Sequence, residues 1–191
     1  MFIQTEETPN PATLKFLPGK SVMPSGVADF PNLDSAARSP LAQTLFDVDG
    51  VTGVFLGADF ITVTKDAAKT WQTMKPMVLG AIMDHYTSGM PVLGTAADDD
   101  PGDDAIDQVG DGGLDPEVVA QIKELIDTRV RPSVAQDGGD IVYRGFKDGT
   151  VFLNMRGSCA GCPSSTATLK MGIENMLRHY IPEVRQVEAI V

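Results

Sequence analysis

Cys159 and Cys162 are the only cysteines in 191 residues, and they stand in a Cys-X-X-Cys spacing. Two thiols three positions apart can bind one edge of a metal or cluster, or close a small disulfide. The stretch that holds them, Gly157-Ser158-Cys159-Ala160-Gly161-Cys162-Pro163, sets a glycine before each cysteine. Just upstream, Thr150 to Met155 reads as a strand, with Val151, Leu153 and Met155 on one face and Thr150, Phe152 and Asn154 on the other. Just downstream, Pro163 suits the first position of a helix, where a missing N–H is not needed. Leu169, Ile173, Met176, Leu177 and Tyr180 then recur at helical spacing and mark a buried face. The cysteines are therefore expected on a loop that feeds a helix N-terminus. Free N–H groups and the positive end of the helix dipole there favour thiolate over thiol, and Arg156 adds a cation nearby. The glycine-flanked loop also argues against two buried, inert cysteines.

The elements around this loop are legible from their punctuation. Asp115-Pro116-Glu117 caps a helix whose stripe is Val118, Ile122, Leu125, Ile126 and Val130, and Arg131-Pro132 is expected to end it. Asp137-Gly138-Gly139-Asp140 reads as a turn whose glycines can take positive φ. Ile141 to Phe146 and Thr150 to Met155 form a hairpin across Lys147-Asp148-Gly149, and Val184 to Ile190 alternates as a last strand. Residues 114–191 thus read as an α-β-β-α-β unit with two helices covering one face of a small sheet.

Residues 1–94 read as a separate, mixed α/β unit, which makes the fold class α+β with two small domains. Phe2 to Thr5 and Ala12 to Phe16 are short strands around a Pro9-Asn10-Pro11 turn. Ser39-Pro40 opens a short helix with Leu41, Leu45 and Phe46 on its apolar side. Gly50 to Leu56 and Asp59 to Lys65 are β-branched runs joined as a hairpin. A helical pattern from Trp71 to Tyr86 places Trp71, Met74, Val78, Ile82 and Tyr86 on one side; Pro76 is expected to kink it or to restart it. His85 lies late in that helix, where it can interact with the C-terminal dipole. No catalytic residue is assigned in this half.

The formal net charge of −11 is unevenly placed: −3 over residues 1–94, −7 over 95–113 and −1 over 114–191. Residues 95–113 therefore read as an Asp/Gly-rich, extended, flexible linker and as the domain boundary. Neither flanking part resembles a basic nucleic-acid surface. No stretch approaches the roughly 20 apolar residues of a spanning helix. The N-terminus has neither secretory nor Arg-rich transit character, so a bacterial cytoplasm is expected, with a processed organelle-matrix protein as the alternative. In such a reducing interior, Cys-X-X-Cys points to metal binding or catalysis rather than to a structural disulfide.

Four chemistries compete for the two thiols. A thioredoxin-like dithiol also opens a helix after a strand, but it belongs to a larger fold and has Pro between its cysteines, where this chain has Ala160-Gly161. Zinc needs four ligands, and His179 lies roughly 25 Å along the helix from Cys162. An inert pair is the third reading. An iron–sulfur cluster wants four thiolates, so two chains meeting face to face would supply the set and share the cluster in a symmetric dimer. A cluster at a subunit seam is easy to hand on, which favours a carrier over an electron-transfer protein.

Val130-Arg131-Pro132, Asp137-Gly138-Gly139-Asp140-Ile141 and Gly157-X-Cys159-X-X-Cys162-Pro163-X-Ser165-X-X-Thr168-Leu169-Lys170 together resemble the NifU-like C-terminal domain of Nfu iron–sulfur proteins. Thr8 to Phe16, Ser39-Pro40-Leu41-Ala42 and Asp59 to Lys65 resemble the N-terminal domain of the same family. The resemblance implies a scaffold or carrier, not an enzyme, that accepts a [4Fe–4S] cluster and delivers it to apo-proteins; a [2Fe–2S] form stays open. It assigns the cluster ligands to Cys159 and Cys162, one pair per subunit of a homodimer. It implies an upstream cluster-assembly scaffold and apo iron–sulfur clients as partners, with no nucleic acid and no membrane. The alternative from another class is a thiol–disulfide oxidoreductase using the same two cysteines.

Overall fold

The computed structural model describes residues 1–94, 110, 112–161 and 163–190, and the side chains of 163–165 lie outside that description. The chain divides into two compact units, Met1–Asp100 and Pro101–Val191. Cys162, and the expected linker apart from residues 110, 112 and 113, fall outside the described residues. Gly110, within the segment expected as linker, forms an isolated bridge with Gly145, and its carbonyl accepts the Phe146 N–H at 2.8 Å. Among the described residues no helix is long and apolar enough to cross a membrane.

The first unit is built on a five-stranded antiparallel sheet in the order β1-β2-β5-β4-β3. Its strands are β1 (Gln4–Glu7), β2 (Thr13–Leu17), β3 (Ala28–Phe30), β4 (Val51–Leu56) and β5 (Ile61–Lys65). The β4–β5 hairpin lies where the β-branched runs place it, with Val54 opposite Val63 and Leu56 opposite Ile61. These side chains share a core with Leu14 and Phe16 from β2. Lys15, Thr62 and Phe55 align across the opposite face. There Lys15 Nζ stands 4.9 Å from the centre of the Phe60 ring and 3.3 Å from Glu6, so its buried stem keeps a paired head. The outermost strand starts two residues later than the sequence suggests, and β3 is too short to be read from periodicity.

Helix α1 (Pro40–Phe46) begins as expected: Ser39 accepts the Ala42 N–H at 3.1 Å and Pro40 fills the first position. A cap of this kind contributes about 1 kcal/mol. Helix α2 (Trp71–Ser88) neither ends nor restarts at Pro76. Pro76 is on the exposed side, where water can satisfy the carbonyl that loses its donor. The buried stripe is Met74, Val78, Ile82 and His85, so Trp71 and Tyr86 flank the core rather than enter it.

In the second unit α3 (Pro116–Leu125) is capped by Asp115, whose carboxylate accepts the Glu117 N–H at 2.9 Å. The expected stop at Arg131-Pro132 does not occur. A π turn, Ile126–Val130, leads directly into α4 (Arg131–Gln136), with Pro132 in the first turn of the new segment. A missing N–H is tolerated there because first-turn donors have no partner within a helix. The sheet follows in the order β6-β7-β8, with β6 (Gly139–Lys147) antiparallel to β7 (Thr150–Gly157) and β8 (Gln186–Ile190) parallel to β7. A parallel neighbour requires a crossover, which α5 (Pro163–Tyr180) supplies. Val151, Leu153 and Met155 face a core completed by Ile122, Ile126, Ile173 and Leu177. Tyr180, expected on the buried side of α5, is exposed.

His85 is 2% exposed, and among the described residues neither ring nitrogen has a hydrogen-bond partner. Its ring meets Tyr86 edge-on at 5.6 Å. His85, late in α2 as expected, thus packs into the buried stripe of the helix. Burial holds the imidazole below its ordinary value of 6.5 and so favours its neutral form in the folded chain. The unfolded chain takes up a proton as pH falls through that ordinary value, so stability present above it is lost on the acid side. His85→Leu should lose less stability than the parent chain between about pH 7.5 and about pH 5.5, as read from urea unfolding midpoints. Equal losses in both chains would show that His85 does not set the acid response.

Candidate cluster-binding loop

The loop between β7 and α5 is anchored to the segment that starts β6. Gly139 and Gly157 are register partners where the two strands meet. Gly157 then turns the chain at φ 63°, a left-handed conformation suited to glycine. Ser158, 2% exposed, donates its N–H to the Gly138 carbonyl at 3.2 Å and its hydroxyl to the Asp137 carbonyl. Ala160 closes a tight turn onto the Gly157 carbonyl at 3.1 Å. From the first turns of α5, the Thr166 hydroxyl donates to the Cys159 carbonyl at 3.0 Å.

These contacts place Cys159 inside. The side chain is a free thiol, 6% exposed, within the apolar cluster that contains Val134, Ile141 and Met155. A Cβ on Gly139 would stand 2.6 Å from Cys159 Sγ and 2.7 Å from the Arg156 carbonyl. The two glycines of the turn therefore serve different ends. Gly138 takes φ 80°, whereas Gly139 leaves room for sulfur. The expectation of an open loop with a thiolate-favouring field is overturned for Cys159. Burial pushes its thiol up to about 11; the Ser158 hydroxyl pulls the other way, and the negative charges of Asp137 and Asp140 add to the rise. Arg156 Nε donates to Asn154 Oδ1 at 3.0 Å.

A second contact set lies one residue beyond Gly139. Asp140 is 4% exposed, and Arg131 grips both its oxygens, Nε to Oδ1 at 2.8 Å and Nη2 to Oδ2 at 2.9 Å. Arg131 also reaches Asp127 Oδ1 at 3.2 Å, and its guanidinium is held well above its ordinary value, chiefly by the hydrogen bond to Asp140. Cys162 is outside the described residues, so the structure places one of the two sequence-predicted ligands. Among the described residues no group of three or more His, Cys, Asp or Glu side chains could hold a metal ion. The sequence pattern assigned no role to Ser158 or Thr166, and it read Gly139 and Asp140 only as turn residues and Arg131 only as a helix end. The available signal was the doubled glycine, since a turn of this kind needs only one.

Residues 3–89 match the family model described as scaffold protein Nfu/NifU N terminal, and residues 122–188 match the NifU-like domain. A human protein named NFU1 iron-sulfur cluster scaffold homolog, mitochondrial, is 51% identical over 192 residues, covering 100% of this chain and 72% of its own length. This chain is a member of the Nfu/NifU family. An Arabidopsis thaliana member named NifU-like protein 4, mitochondrial, is 53% identical over 190 residues, covering 98% of this chain and 65% of its own length. The solution NMR structure of a NifU-like protein from Saccharomyces cerevisiae shares 28% identity at a TM-score of 0.40, covering 50% of this chain and 86% of that one.

Gly139→Ala in this Nfu/NifU chain should destabilise it by about 1–3 kcal/mol, because a backbone carbonyl cannot retreat from the added methyl group. Denaturant unfolding of the two chains checks this, and an unchanged midpoint would mean that the β6 start yields freely.

Proposed function

We propose that this chain is an iron–sulfur cluster carrier that accepts a cluster on Cys159 and Cys162 and passes it to apo-proteins. The observation that carries the reading is the cysteine loop itself. It is pinned between β7 and α5 of the unit whose residues match the NifU-like domain, in a chain 51% identical to a protein named as an iron–sulfur cluster scaffold. Thiolates are the ligands such clusters take, and four are needed, so two chains contribute two each to a shared [4Fe–4S] cargo. In the structure Cys159 Sγ faces the core, so ligation requires the loop to turn it outward and the thiol to lose its proton. The reading divides the chain into an N-terminal domain at 1–94, a linker at 95–113 and a cluster-binding domain at 114–191. It makes the chain a carrier rather than an enzyme, with a cluster donor upstream and apo-protein clients downstream. The mitochondrial names of the relatives favour an organelle matrix over a bacterial cytoplasm as its place of work.

The oxidoreductase alternative needs an attacking thiol with a lowered pKa in an accessible place. Cys159 in its buried place meets that need no better than it meets a ligand's, and the match of its unit to the NifU-like domain favours the carrier.

Anaerobic reconstitution with iron and sulfide should give about two irons and two sulfides per chain, with the colour eluting as a dimer. Cys159→Ser and Cys162→Ser should each abolish the colour while leaving the far-ultraviolet circular dichroism unchanged. Full cluster content in either variant would sink the ligand assignment. A colourless monomer with a redox-active dithiol would favour the oxidoreductase.

A further inference from the structure

The Asp137–Asp140 segment does more than reverse the chain. Its successive groups each meet the cysteine loop or hold the segment itself. The Asp137 carbonyl takes the Ser158 hydroxyl, the Gly138 carbonyl takes the Ser158 N–H at 3.2 Å, and Gly139 gives Cys159 Sγ its space. Asp140 is held in a two-toothed grip from Arg131 on α4 at 2.8 and 2.9 Å. The α4 end secures the same segment through backbone bonds, Asp137 N–H to Val134 and Gly138 N–H to Ala135, both at 3.1 Å. Asp140 is 4% exposed but the Arg131 side chain keeps 38% of its exposure, and a charge pair with one partner open to water adds little net stability. Global stability alone therefore gives little reason for an ion pair at 140, and its fixed fork geometry gives a better one.

We propose that Arg131 and Asp140 are positioning residues for cluster capture: their bidentate pair fixes the seat from which Ser158 and Gly139 present Cys159. This rests on the carrier reading above. Neither residue is a ligand; the pair acts through the Asp137–Asp140 backbone. A loosened seat lets the Ser158 anchor and the sulfur wander, so Cys159 is both less sheltered and less well aimed.

The test uses the full chain, ferrous iron, sulfide and a competing iron chelator. Outer-shell partners of metal ligands commonly cost 10–100-fold in affinity when lost, so Asp140→Asn should retain its cluster against the chelator roughly tenfold less well. Cys159 alkylation by iodoacetamide, measured without iron in a Cys162→Ser background, should accelerate in the same variant by more than in Asp137→Asn. That substitution also removes a carboxylate that raises the thiol but leaves the Arg131 pair intact. Asp127→Asn, which removes only the outer partner of Arg131, should match the parent chain in both readouts. If Asp140→Asn unfolds, the paired replacement Arg131→Met with Asp140→Leu carries the test, since it removes both charges together. That double variant should unfold at the parental denaturant concentration yet retain cluster as poorly as Asp140→Asn. Parental cluster retention in a folded double variant, or Cys159 alkylation no faster in Asp140→Asn than in Asp137→Asn, overturns the proposal. A parent chain that takes no cluster overturns the carrier reading instead, and the alkylation comparison still decides whether the pair sets Cys159.

Discussion

One close approach organises the second unit: the sulfur of Cys159 against the backbone of Gly139. A side chain at 139 would strike both the sulfur and the Arg156 carbonyl, so the ends of β6 and β7 can meet only if that position stays bare. Once they meet, the loop has little choice. Ser158 finds two carbonyls of the facing turn, Thr166 secures the Cys159 carbonyl from α5, and the sulfur is drawn into the apolar cluster. The reactive group is thus placed by packing and by hydrogen bonds to backbone carbonyls.

That arrangement separates two demands that conflict. A cluster ligand must be an exposed thiolate, whereas a thiol is kept from unwanted chemistry by burial in its neutral form. Here burial governs the thiol, and the carboxylates of Asp137 and Asp140 reinforce it. Gly157 and Gly161, on either side of Cys159, supply the backbone freedom that the proposed outward turn of the sulfur demands. Shelter and delivery can then belong to one loop, used in turn.

Much of this was legible in the sequence, and where it was not the physical reason is specific. Ser39-Pro40 and Asp115-Pro116 announced their helices because capping is local chemistry. The β4–β5 and β6–β7 hairpins followed from β-branched runs around turn residues. Proline misled at 132, and at 76 it did not restart the helix, since its cost depends on exposure and on the position of the turn, which the residue type does not carry. His85 was read as polar and placed at a dipole, yet it completes the Met74, Val78 and Ile82 stripe, because periodicity outranks polarity when a helix face must be covered. The positions of the cysteines were plain, but the inward turn of Cys159 was not. It depends on Gly139, twenty positions earlier in the chain, and no local pattern announces a contact of that range.

The parallel pairing of β8 with β7 has a consequence for synthesis. The cysteine loop lies inside the stretch of chain that this pairing closes, from Thr150 opposite Gln186 to Asn154 opposite Ile190. On the ribosome, where chains emerge at about 5–20 residues per second, both thiols leave the tunnel before the strand that completes their sheet. For that interval the nascent domain offers bare thiols that the finished fold would partly conceal. Newly made chains are then more open to oxidants, or to stray metal, than the mature protein, and the speed with which the last strand docks sets the length of that exposure.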